Sequence, residues 1–176
     1  MDKKVIRKKM IKKRQGLSML EYNDKSCSII TRLRNHPFYK EAKTIGIYVS
    51  FNKEVDTYSY LDLLCQEKQV CIPKTKGKEM DFFVYDKNNL EENQYGILET
   101  KDSQKIKKEN IDLLVIPLVA YHDSGYRVGY GGGYYDRYLK DYKGHTIGLA
   151  FEFQKIEEID FEEFDQKVEL VIHENN

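Results

Sequence analysis

The chain has 176 residues, and its 29 Lys/Arg balance 29 Asp/Glu to a formal net charge of zero, which argues against a dedicated nucleic-acid binder with its basic excess. A composition of 40 % hydrophobic and 33 % charged residues at this length fits one globular domain with a sizeable core. No apolar run approaches the ~18 residues of a membrane helix, and a terminus charged from Asp2 onward lacks a signal peptide's apolar centre.

Residues 3–15 read as a helix. At about 100° per residue, Ile6, Met10 and Leu17 share one side, with Lys3, Arg7 and Arg14 immediately beside them. Lys8, Lys9 and Lys12 point away. Residues 3–14 hold eight cations and no acid. Cations bordered by apolar residues either meet an anion or snorkel past the core, and both readings stand here. Ser18 and Glu21 predict a capping box that opens a second helix. It runs to Asn35, and His36-Pro37 ends it. Residues 44–50 (TIGIYVS) predict a strand, Asn52-Lys53 a turn, and 57–66 a helix. A short buried strand over 69–72 stops at Pro73, and 81–85 forms another. Residues 90–100 look irregular. Residues 111–119 (IDLLVIPLV) are the most apolar strand, 134–142 a helix, and 145–151 and 168–173 the last two strands. This alternation predicts an α/β fold, a single domain over 1–176 with three layers around a mainly parallel open sheet. Ligands of such sheets sit at the strands' carboxyl ends, which draws attention to 50–57, 73–78 and 120–133.

The last of these loops is the most informative. Four glycines, Gly129, Gly131, Gly132 and Gly133, fall within five positions. Arg127 stands just before them and Tyr134-Tyr135-Asp136-Arg137 just after. Glycines let successive backbone N–H groups converge on an anion, and a helix start adds partial positive charge. A strand, a glycine loop with a nearby Arg, and a helix together make a phosphate cradle. It is not a Walker A loop, because no Lys-Ser or Lys-Thr follows. It is not a dinucleotide fingerprint either, because the third glycine would fall at Tyr134, so the loop is a less common phosphate binder or a plain glycine-rich turn, the flanking Arg127 and Asp136 favouring the first.

Other candidates carry two readings each. Lys74 after Pro73 meets a phosphate or is a solvated surface lysine. Asp56 or Thr57 caps the next helix, whereas Glu54 lies ahead of it and is free to bind amino or N–H groups of a substrate. Asp136 pairs with Lys140 one turn later or holds Mg²⁺ beside the cradle, with Asp165 as a possible second carboxylate. The four histidines lack metal spacing. Cys27, Cys65 and Cys71 are odd in number, without a CxxC pair, which fits reduced thiols in a cytoplasmic protein. No serine nucleophile elbow or Cys/His pair appears.

These residues bear a family likeness. The chain resembles the 5-formyltetrahydrofolate cyclo-ligases (5,10-methenyltetrahydrofolate synthetases) over nearly its whole length. The likeness rests on Lys3, Arg7 and Arg14, on YVSFNKEVDT (48–57), IPK (72–74), YGILE (95–99), GYRVGYGGGYYDR (125–137) and IGLAFEFQ (147–154). It implies an ATP- and Mg²⁺-dependent ring closure of 5-formyltetrahydrofolate to 5,10-methenyltetrahydrofolate through a phosphorylated formyl group. It further implies that Lys3, Lys4, Val5, Ile6 and Arg7 hold ATP, together with Arg127, Val128, Gly129, Tyr130, Gly131, Gly132, Gly133, Tyr134 and Tyr135. Arg127 and Tyr135 take the catalytic roles. Glu54, Tyr95 and Gly96 bind folate, and Asp136 and Asp165 bind Mg²⁺. The expected partners are small molecules only, with no nucleic acid and no membrane, for a cytoplasmic monomer or weak dimer. Two positions depart from the family's habit, Thr100 after the YGILE glutamate and Phe164 before Asp165.

Overall fold

The computed structural model describes residues 1–176. In chain order it holds α1 (Lys3–Gln15), α2 (Met19–Asn35), α3 (Pro37–Glu41), β1 (Thr44–Ile47), α4 (Leu61–Glu67), β2 (Gln69–Lys76) and β3 (Glu79–Val84). There follow β4 (Leu90–Glu92), β5 (Leu98–Thr100), β6 (Lys105–Ile106), β7 (Leu113–Pro117), β8 (Ala120–Tyr121), β9 (Arg127–Val128), α5 (Tyr134–Leu139), β10 (His145–Leu149) and β11 (Leu170–Ile172). Seven strands form one sheet in the order β11-β10-β7-β1-β2-β3-β6. Its five strands from β11 to β2 run parallel, and β3 and β6 add an antiparallel flank.

Three layers follow from which side chains the strands alternate to each face. Ile45, Ile47, Leu113, Val115 and Ile147 meet Ile29, Ile30 and Leu33 of α2, Tyr39 of α3 and Leu61 and Leu64 of α4. On the opposite face Leu114, Ile116 and Phe82 pack against Tyr138 and Leu139 of α5. Helix α1 joins neither layer. Its Ile6 and Met10 rest on Val119, Ala120 and Val128, at the carboxyl end of β7. No helix is long and apolar enough to cross a membrane.

Both long helices have the predicted limits. Ser18 Oγ accepts from Glu21 N–H at 3.1 Å, while the Glu21 carboxylate takes the Ser18 hydroxyl at 3.0 Å instead of the backbone N–H of a full box. Four expectations need correction. The strand at 69–72 does not stop at Pro73 but continues to Lys76. Its ladder to β1 ends at Cys71, so beyond that point only β3 is a neighbour and the absent proline N–H is tolerated as on an edge. Residues 90–100 are not irregular: β4 and β5 form a hairpin whose tip uses Gly96 at φ +79°. Pro37 ends α2 but also starts α3, where its fixed φ suits the first turn, and His36 Nδ1 accepts from Phe38 N–H. The helix predicted over 57–66 opens as a 3₁₀ turn (Tyr58–Tyr60) and becomes α-helical only at Leu61.

The centre of the sheet is packed closely at Gly46. A Cβ there would lie 2.7 Å from Leu114 Cδ2 and 3.0 Å from Phe82 Cδ1. Gly46→Ala is expected to destabilise the fold by about 1–3 kcal/mol through overpacking. In urea unfolding the midpoint should fall with an unchanged slope, whereas a wild-type midpoint would show that the layer relaxes freely.

Candidate active site

The parallel ladders deliver the loops after β1 and β7 to one rim. Residues 48–57 are locked there by their own hydroxyls. Thr57 Oγ1 donates to Tyr48 O at 2.6 Å and accepts from Ser50 N–H at 3.0 Å. Ser50 Oγ accepts from Thr57 and Tyr58 N–H. Of the two predicted caps, Asp56 acts as one, through Oδ1 to Ser59 N–H, while Thr57 ties the loop to its strand. Asn52 and Lys53 turn the chain at φ +50° and +53°, and Glu54 goes inward.

Glu54 is 3 % exposed. Its Oε1 accepts from Phe51 N–H at 3.0 Å, and Oε2 has no partner. Burial lifts its carboxyl to about 7, against the opposing pull of the Phe51 hydrogen bond and the Arg14 charge. The ring of tyrosines around it answers to the same pocket. Burial, and next to it the Glu54 charge, pushes the Tyr130 hydroxyl to about 12 and raises those of Tyr48 and Tyr135 as well. Arg127 opposes the shift at Tyr135, so this half-buried ring feels both Glu54 and the glycine loop.

The glycine loop begins as a two-residue hairpin, β8 with β9, which periodicity had no means to reveal. Beyond it Gly131 takes φ +103° and Gly133 φ +71°, conformations that side chains with a Cβ resist. Arg7 reaches the loop from α1: Nε donates to Gly129 O at 2.6 Å, and a Cβ on Gly131 would stand 3.5 Å from the guanidinium. Arg127, buried, bonds through Nη1 to Asp136 Oδ1 and Gln166 O, both at 3.0 Å. Asp136 therefore pairs with Arg127 across the loop, and the reading that paired it with Lys140 is set aside. Lys3 Nζ meets Asp165 Oδ2 at 2.7 Å. Burial works against the Asp165 charge, but the bonds from Lys3 and the Glu162 N–H outweigh it and hold the carboxyl below its ordinary range.

These contacts sort the expected residues. Arg7 alone reaches the glycines, Arg127 pairs with Asp136 just past them, and the Lys3–Asp165 pair stands alongside through Gln166, with Glu54 buried near Tyr130 and Tyr135. Within the 3–7 segment, Lys4 and Val5 are exposed and Ile6 is core, so Arg7 contacts the loop while Lys3 meets Asp165. Val128 is also core. The Tyr134 hydroxyl donates to Gly77 O at 2.8 Å. Tyr95 and Gly96 are exposed at the β4–β5 tip, and the Tyr95 ring is not brought to Glu54 by any hydrogen bond or ring contact. Lys74 donates to Thr100 O at 2.8 Å and clips that hairpin to β2, a contact neither of its two readings named. Sequence reasoning undervalued Arg14, which is wholly buried and joins Asn52 O and the Tyr130 hydroxyl through Nη2. Its angular position beside Met10 was the available signal.

No group of three or more His, Cys, Asp or Glu side chains comes together as a metal cluster, and the two expected carboxylates are linked only through Gln166. Asp136 and Asp165 each engage one carboxylate oxygen with the protein, and Gln166, adjacent to Asp165, bonds Asp136 through its N–H. The second oxygen of each, Oδ2 of Asp136 and Oδ1 of Asp165, makes no hydrogen bond to the protein.

Glu54 makes the stability pH-dependent. An unfolded chain ionises this carboxyl near its ordinary 4.5, whereas the folded one holds its proton to about 7. The folded state binds more protons in that window, so stability falls as pH rises from 4.5 to 7 and then levels. The expected loss is about 3 kcal/mol. Urea unfolding at pH 5 and pH 8 should show this fall in the wild type and not in Glu54→Gln. An equal fall in both would place its origin elsewhere.

Comparison with known proteins gives a consistent result. The model of the 5-formyltetrahydrofolate cyclo-ligase family matches residues 1–174. The 5-formyltetrahydrofolate cyclo-ligase of Haemophilus influenzae is 31 % identical over 170 residues, covering 91 % of each chain. That of Mycoplasma pneumoniae is 30 % identical over 180 residues, 99 % of each. Among solved structures, the 5,10-methenyltetrahydrofolate synthetase of Aquifex aeolicus superposes with a TM-score of 0.90 at 33 % identity, over 100 % of this chain and 91 % of that one. With its glycine rim, its α1 cations and its buried glutamate in place, the chain belongs to the 5-formyltetrahydrofolate cyclo-ligase family of enzymes.

Proposed function

We propose that this enzyme closes the ring of 5-formyltetrahydrofolate to 5,10-methenyltetrahydrofolate at the expense of ATP and with Mg²⁺, releasing ADP and phosphate. The observation that carries the reading is the meeting, on one rim, of a glycine loop flanked by Arg7 and Arg127, with Lys3 at Asp165 alongside, and a buried glutamate whose Oε2 has no partner. An anion belongs at the first and an N–H donor at the second. Nucleoside triphosphate and reduced pterin supply them.

The chemistry asks for alignment more than for a protein nucleophile. The formyl oxygen attacks the γ-phosphorus and ADP leaves. N10 then adds to the phosphorylated formyl carbon, its proton passes to the departing phosphate, and loss of hydrogen phosphate leaves the cyclic iminium. Lys3 and Arg7 hold the phosphates in line, and Arg127 faces the charge that grows on the transferred group. The Tyr135 hydroxyl, kept protonated by burial, is a donor at the junction of the two substrates. Glu54 fixes the pterin by accepting from its ring N–H groups. Asp136 and Asp165 would hold Mg²⁺, which spreads phosphate charge when bound. Each of these carboxylates also pairs with a cation, Arg127 or Lys3, through its other oxygen. The substrates are small molecules, and we assign the work to a cytoplasmic monomer or weak dimer.

Methenyl-folate absorbance provides the assay: product should appear from 5-formyltetrahydrofolate only with ATP and Mg²⁺ together. Asp136→Asn is expected to cut turnover roughly 100-fold with circular dichroism unchanged. Normal turnover at limiting Mg²⁺ would remove Asp136 from the metal site.

Helix α1 offers a second check. Arg7→Ala should raise the KM for ATP at least about tenfold, the loss of one charged hydrogen bond. Lys8→Ala with Lys12→Ala, on the exposed side, should leave it unchanged. Equal losses from the two variants, or a steep fall with salt, would make the helix a diffuse electrostatic tether.

A further inference from the structure

The rim contains a second residue whose polar atoms go unmatched. Arg14 is 0 % exposed, and although Nη2 has two partners, Nε and Nη1 have none. Nor do they bond to Glu54, whose Oε2 is equally without a partner. Burying a guanidinium and a carboxylate while leaving both under-satisfied costs stability. Nearby groups do not relieve it. The Tyr22 hydroxyl is spent on Glu54 O and the Tyr48 hydroxyl on Val55 O.

The two vacancies have opposite polarity. A guanidinium has donors only, so Nε and Nη1 call for an acceptor. An ionised Glu54 calls for donors. A phosphate would suit Arg14 but would be repelled by Glu54, and an amine would do the reverse. A flat edge that carries a carbonyl oxygen beside N–H groups answers both. Reduced pterin has such an edge, with the 4-oxo group next to N3–H and the 2-amino group. We infer that Arg14 is a substrate-recognition residue that donates to the 4-oxo oxygen of the pterin while Glu54 accepts from N3–H and the 2-amino group. This deepens the folate reading above and rests on it.

Access to Arg14 is through Tyr130. Its hydroxyl bonds Arg14 Nη2, its ring lies 5.7 Å from the guanidinium carbon, and the Phe51 ring is 5.4 Å away on the other loop. Tyr130 is nonetheless 40 % exposed and stands between Gly129 and Gly131, the latter at φ +103°. It is the cover with the most freedom to swing. Its movement would expose donors and acceptor together, from the loop that holds the nucleotide.

The test compares 5-formyltetrahydrofolate with its 4-amino-4-deoxy analogue, which offers an N–H donor where the natural ring offers an oxygen. Binding of each is titrated to the wild type, Arg14→Gln and Arg14→Lys, and the KM values for 5-formyltetrahydrofolate and ATP are measured alongside. The wild type is expected to prefer the 4-oxo ring roughly 100-fold or more. Arg14→Gln, whose amide can accept as well as donate, should narrow that preference at least about tenfold. It should also raise the folate KM by a similar factor while the ATP KM stays within about threefold. Arg14→Lys, retaining a charged donor, should recover part of the preference. An unchanged preference in both variants, or equal rises in both KM values, would overturn the inference and reduce Arg14 to a strut between loops. If Arg14→Gln does not fold, the preference of Arg14→Lys decides alone. Wild-type turnover separates the two levels: absence of methenyl-folate formation with Mg²⁺ and ATP sinks the functional reading and this inference with it, whereas normal turnover with an unaltered preference sinks only the role of Arg14.

Discussion

The guanidinium of Arg14 is closed off from water, so whatever satisfies it must come from the protein or from a ligand. The two bonds that it does make join the Asn52 carbonyl, in the loop after β1, to the Tyr130 hydroxyl, in the glycine loop that follows β9 within the excursion after β7. Those loops meet because β1 and β7 are parallel neighbours in the sheet. Arg7, two turns earlier on α1, repeats the arrangement at Gly129 O, and Lys3 a turn before that reaches Asp165. One helix face thus spans the rim as a row of cations. The glycine conformations, the inward turn of Glu54 and the Arg127–Asp136 pair are arranged around it. The helix is anchored by little apolar surface, mainly Ile6 and Met10, so its polar bonds carry an unusual share of the docking.

Much of this could be read in the sequence because the signals were local. The 3.6-residue period separated Lys3, Arg7 and Arg14 from Lys8 and Lys12, and the structure keeps them apart. Apolar runs located β1, β7 and β10, and their alternation with helices gave a parallel centre. The glycine cluster flanked by Arg127 and Asp136 marked the rim without any knowledge of its geometry. Glu54 was singled out because capping explained it poorly, and in the structure Asp56 does the capping.

What stayed hidden depended on partners far along the chain. Pro73 reads as a strand stop unless one knows that the β1 ladder has already ended at Cys71. The β4–β5 hairpin is held by Asn93 and by Lys74 and Glu99 reaching to and from β2, bonds that leave no periodic trace. Lys74 and Asp136 had plausible local readings, and in both cases a longer-range partner prevailed: Thr100 O for one and Arg127 for the other. Arg14 was visible as a cation on an apolar face, but no sequence pattern states which of its nitrogens will lack a partner.

The placement of α1 also bears on how the chain is made. Synthesis releases residues 3–15 well before their partners: Arg7 finds its carbonyl 122 positions later in Gly129, and Lys3 finds Asp165 162 positions later. At about 5–20 residues per second, that interval lasts roughly 6–25 s for Arg7. During it, a nascent amphipathic helix with eight cations in residues 3–14 and an uncovered Ile6–Met10 stripe waits outside the ribosome. The same row of charge that later completes the rim is therefore, for those seconds, a row without its partners.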